Sequence, residues 1–67
     1  MVIATVNQQD KEVWREGFIS GLNGETMSAN PYPEDVVKRQ EWLYGLVDGQ
    51  EELKAAERER RPLRLPP

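Results

Sequence analysis

Neither cysteine nor histidine occurs among the 67 residues of this chain. Without cysteine there can be no disulfide framework. Without both residues, the common zinc sites, haem ligation through His or Cys, and His-dependent nucleophilic catalysis are removed together. No run approaches the ~18 apolar residues that a membrane-spanning helix needs. The apolar stretch Val2-Ile3-Ala4 has no basic flank and is too short for a signal peptide. These absences fit a reducing, cytoplasmic setting. A domain this small buries only ~60% of its unfolded surface, and such chains lean on disulfides, a metal or a partner subunit. With the first two removed, a homodimer is expected, and no metal or cofactor.

The net charge of −3 is unevenly spread. Residues 1–59 hold all twelve acidic side chains against six basic ones (Lys11, Arg15, Lys38, Arg39, Lys54, Arg58), a balance of −6. Residues 60–67 add Arg60, Arg61 and Arg64, a balance of +3. An acidic body disfavours generic nucleic-acid binding, which rests on phosphate neutralisation. It suits a protein partner with a basic surface.

Gly17 and Gly21 stand four apart in an otherwise amphipathic helical pattern. Interior glycine costs roughly 0.5–1 kcal/mol against alanine, and close approach of a second backbone is the usual compensation. The two residues are therefore expected to seat another helix. The pattern predicts helix one over about residues 8–23, capped by Asn7 and stopped at Gly24, with Val13, Trp14, Phe18 and Leu22 on its apolar face. Residues 25–32 form a connection made rigid by Asn30-Pro31-Tyr32-Pro33. Helix two is predicted over about 34–59, with Pro33 in its first turn and a buried stripe of Val36, Trp42, Leu43, Leu46, Val47 and Leu53. Gly45 or Gly49 is expected to bend it. The fold class is all-α: a two-helix antiparallel hairpin, preceded by a short strand or arm at residues 1–6. One domain over 1–59 is followed by an extended, mobile basic tail over 60–67.

Glu34, Glu41 and Asp48 recur every seven residues, and Glu52 follows four later. On a helix this spacing gathers them into one narrow acidic ridge, expected opposite the buried stripe, with Val37 and Tyr44 along its flank. Apolar and aromatic groups beside charge resemble an interface, although Lys38 offsets part of the ridge and an ordinary solvated face has the same spacing. Trp14, Phe18, Tyr32 and Trp42 read as core. Catalysis finds little footing: Glu51-Glu52 sits on a solvated helix, and Gly21-Leu22-Asn23-Gly24 ends a helix rather than opening one. An enzyme is not expected.

The set Gly17, Phe18, Gly21, Gly24, Pro31, Tyr32, Trp42, Leu43 and Gly45 resembles the small bacterial ribosome modulation factor family and its phage-borne relatives over about residues 12–50. That family combines a glycine-rich first helix, a Pro-Tyr turn and a second helix with a Trp-Leu-x-Gly element. The resemblance implies a compact two-helix hairpin, and for function it implies binding to the small ribosomal subunit and promotion of inactive ribosome dimers. The founding type has a Lys/Arg-rich N-terminus, whereas residues 1–9 here carry no basic side chain. The first expectation is accordingly a small regulatory interaction protein of the kind a phage encodes. It would bind and inhibit a host protein, such as a DNA-binding regulator, through the acidic helix face. The alternative is a ribosome modulation factor.

Overall fold

The computed structural model describes residues 11–67. The expected strand at 1–6 and the Asn7 cap lie outside the described residues. Helix α1 spans Lys11–Leu22, a 3-10 turn spans Met27–Ala29, and helix α2 spans Val36–Glu59. The described residues are helical with no strand.

Both helices end in the same motif. After α1, Gly24 adopts φ +80°, its N–H donates to the Gly21 carbonyl at 3.0 Å, and the Glu25 N–H donates to the Ser20 carbonyl at 2.9 Å. After α2, Arg60 takes the left-handed conformation (φ 56°, ψ 47°), and the Arg61 N–H donates to the Ala56 carbonyl at 3.0 Å. These are Schellman closures, which satisfy carbonyls that the helix end leaves open. Gly24 makes its turn without a Cβ penalty, while Arg60 carries roughly 1–2 kcal/mol of it.

The start of α2 departs from expectation. Asp35 is the N-cap, its Oδ1 accepting from the Lys38 N–H at 3.0 Å. Pro33 and Glu34 precede the helix, and the Pro33 carbonyl accepts from Arg39 Nη1 at 2.7 Å. An Asp at N-cap satisfies an orphan N–H that a Pro start would leave open, so the helix begins two residues later.

The two helices meet through backbone. A Cβ added to Gly17 would fall on the Trp42 carbonyl, and one added to Gly21 on the Leu46 carbonyl. The relation is reciprocal, because Gly45 faces the Trp14 carbonyl and Gly49 faces the Phe18 carbonyl. Four glycines, paired at i and i+4 on each helix, let each backbone press its Cα–H groups against the other's carbonyls. Gly45 and Gly49 thus serve close packing, and α2 runs through both without a break.

The contacts also fix direction. Gly17 meets residues 42–46 and Gly21 meets residues 46–50, so numbering rises together along both helices. The two-helix organisation is as expected, but the helices run in the same sense rather than antiparallel. Residues 23–35 make this possible by carrying the chain back beside α1. The Glu25 carbonyl is held by Gln50 Nε2 at 3.0 Å, and Tyr32 Oη then donates to Glu16 Oε1 at 2.7 Å. A return over ~14 helical residues is about 21 Å, well within the reach of a 13-residue connection.

The core collects around this contact. Trp42 and Leu46 are 1% exposed, and Val13, Leu22 and Ala56 are also buried. Tyr32 and Leu43 pack against the cluster, and the Trp14 and Phe18 rings lie 5.2 Å apart at 46°. Leu53 is half-buried. Val36 and Val47, expected in the stripe, are instead 62% and 52% exposed. The inner face of α2 is set by the row Trp42, Gly45, Leu46, Gly49, and a 100° step per residue puts both valines on the far side.

Candidate functional site

The six residues of the expected ridge occupy four environments. Val37 and Tyr44 are 73% and 56% exposed, and Val47 joins them one turn further on. Spaced at 37, 44 and 47, with Gln40 between, they line the outer face of α2 as a narrow apolar row. Gln40 Nε2 donates to Tyr44 Oη at 3.2 Å, which steadies the ring on that face. Glu34 is exposed but stands in the turn before α2 rather than on the helix.

Glu41 and Asp48 lie on the flank of α2 that turns towards α1. Asp48 Oδ2 accepts from Trp14 Nε1 at 3.3 Å, across the helix pair. Glu41 is half-buried, and its Oε1 is buried without a hydrogen-bond partner. The ridge is therefore an edge beside the glycine contact, not a face opposite the core. The seven-residue spacing does align these carboxylates, and the position of the glycine row decides which way they point.

Glu52 is already occupied. Its Oε2 accepts from Arg61 Nη1 at 2.6 Å and its Oε1 from Arg61 Nη2 at 3.1 Å. The Arg64 N–H adds a bond of 2.8 Å to Oε2. Arg61 Nε reaches Glu59 Oε1 at 2.6 Å. Two-pronged guanidinium–carboxylate pairing is the strong form of this contact. The Arg61 hydrogen bond, with the Arg64 N–H next, holds the Glu52 carboxyl down at about 2. The same guanidinium lowers Glu59, and the two carboxylates raise Arg61 in turn. At its far end the tail reaches α1, where Arg15 Nη2 and Nε donate to the Pro67 carbonyl at 2.7 and 3.2 Å. Residues 61–67 are thus held by Glu52 at one end and by Arg15 at the other.

The residues expected to be structural hold the turn and the core. Gly17, Gly21 and Trp42 form the helix contact. Trp14, Phe18, Tyr32 and Leu43 are half-buried around it, and Pro31 is exposed in the return segment. Lys38 Nζ sits 5.6 Å from the Tyr32 ring centroid, a cation–π distance.

Among the described residues no group of three or more acidic side chains could hold a metal. An open depression of about 190 Å³ is lined by Glu12, Arg15, Glu16 and Ile19 on the outer side of α1. Its Arg15 is the residue that holds the tail. No described helix is long and apolar enough to cross a membrane. Compared with family models, curated proteins and solved structures, the chain finds no match.

Proposed function

We propose that this chain is a small non-enzymatic interaction protein that docks on a basic protein surface through the outer face of α2 and blocks it. The observation that carries the reading is the exposed row Val37, Tyr44 and Val47, bordered by Glu34 and the Asp48 edge. Apolar and aromatic anchors with an acidic rim suit a partner whose groove is apolar at its centre and cationic at its border, as a DNA-binding regulator's surface is. The rim is smaller than the ridge expected from sequence, because Glu52 is engaged by Arg61.

The experiment is an affinity capture from bacterial lysate with wild type and with a Glu34→Lys/Tyr44→Ser variant, each with and without RNase. Both positions are exposed, so the variant keeps its helix content by circular dichroism. A captured protein that survives RNase and disappears with the variant supports the reading. Retention by the variant overturns it. Small-subunit ribosomal proteins that vanish on RNase treatment would favour ribosome modulation, the function that the resemblance implies.

A further inference from the structure

The tail shows what chemistry the carboxylates near the end of α2 accept. Along residues 61–67 an extended arginine- and proline-bearing segment runs from Glu59 and Glu52 on α2 to Arg15 on α1. Its anchoring is specific. Glu52 receives a guanidinium through two nitrogens and a backbone N–H from three residues further on. Side-chain exposure at the pair is only 20% for Arg61 and 12% for Glu52, so water competes poorly there. Prolines at 62, 66 and 67 hold the segment extended. Its leucines stay outside, with Leu65 75% exposed, so the attachment is through charge and backbone rather than apolar burial. Arg60 keeps its left-handed turn at the root of the segment. That turn is strained for arginine, which favours exchange of the segment over permanent closure.

We propose that the track from Glu59 through Glu52 to Arg15 is a peptide-binding site for an extended Arg-Pro-containing segment of a partner protein, and that the chain's own residues 61–67 occupy it as an internal competitor. The proposal extends the docking reading by naming the partner's chemistry and the contact that holds the site closed. A partner must displace Arg61 from Glu52 before its own arginine can enter. Apparent affinity is then reduced by the fraction of time the track is filled from within.

The probe is a labelled peptide, Arg-Arg-Pro-Leu-Arg-Leu-Pro-Pro, copying residues 60–67, followed by fluorescence anisotropy against full-length chains. The Arg61→Gln chain is expected to bind it about tenfold more tightly than wild type, and adding Glu52→Gln to remove that binding. Binding to Arg61→Gln is expected to weaken as salt rises. Equal binding by wild type and Arg61→Gln, or binding indifferent to Glu52→Gln, overturns the proposal. Should Arg61→Gln lose helix content, Arg61→Lys keeps the charge without the two-pronged geometry and is expected to fall between the two chains. A wild-type chain that doubles its mass at high concentration, and reverts on Arg61→Gln, would assign the track to a second copy's tail and overturn the partner assignment. Loss of the lysate partner in the Glu34→Lys/Tyr44→Ser variant is a separate readout, so the failure of one reading is distinguishable from the failure of the other.

Discussion

Helix α2 presents two opposite sides built on different principles. Its inner side carries Gly45 and Gly49, and it gains contact by removing side chains until backbone meets backbone. Its outer side carries Val36, Val37, Tyr44 and Val47, and leaves large apolar groups in water. A small chain can close its core with few bulky residues when two helices approach this nearly, so apolar side chains are left for the surface. Tolerance to change should differ accordingly. The inner side has no slack, whereas the outer side has no role in holding the fold.

The sharpest way to test that contrast is Gly45→Leu. The obstacle is the Trp14 carbonyl and its backbone, which no side-chain motion can clear. Ordinary overpacking costs about 1–3 kcal/mol, and a clash with rigid backbone exceeds that range, so loss of helical circular dichroism is expected. A folded Gly45→Leu chain would mean that the glycine contact does not hold the helices together. Trp42→Ala is expected to cost ~3–5 kcal/mol in chemical denaturation, because the indole is almost wholly buried. Replacing Asp35 with Ala removes the α2 cap and should cost about 1 kcal/mol. Arg60→Gly runs the other way and should stabilise by up to about 1 kcal/mol, provided the left-handed turn persists. At the small end, Tyr44→Ser should shift stability by no more than about 0.5 kcal/mol. A larger loss would give the outer side a structural role and weaken the docking reading.

Acid offers a finer probe. The Glu52 carboxyl lies below its ordinary value, so the folded state favours the carboxylate. Its contribution is complete at neutral pH and is lost as pH falls from about 4.5 towards about 2. The Arg64 amide should exchange slowly at neutral pH and lose protection over that interval, as read by NMR. Protection that persists to pH 2 would show that the tail is held by something other than Glu52.

Much of this architecture was legible from residue spacing. The Gly17/Gly21 pair announces a helix contact and Gly24 a helix end. Gly45 and Gly49 repeat the same four-residue spacing. Isolated glycines in a helix-forming run more often signal an end or a bend, so spacing within α2 alone points to a bend there. Taking them as a matching pair would have turned α2 about its axis, moved Val36 and Val47 outside, and placed the carboxylates on a flank. The shared direction of the helices was hidden for another reason. Short connections imply antiparallel neighbours, and it takes the glycine contacts, with the Gln50–Glu25 and Tyr32–Glu16 bonds, to reveal that the connection doubles back. The tail's contacts are not legible in the sequence, because charge balance alone does not say which of the body's acids an arginine meets.

The glycine contact stops at Gln50, yet α2 continues for more than two turns to Glu59. Over that stretch the contact between Arg61 and Glu52 works as a splint, tying the end of the helix to a point two turns earlier. When the splint is taken off, those turns should fray while residues 42–50 remain locked. Hydrogen exchange would then divide α2 into a slow segment and a fast one. Occupancy of the track would thus be reported as the length of helix that stays formed.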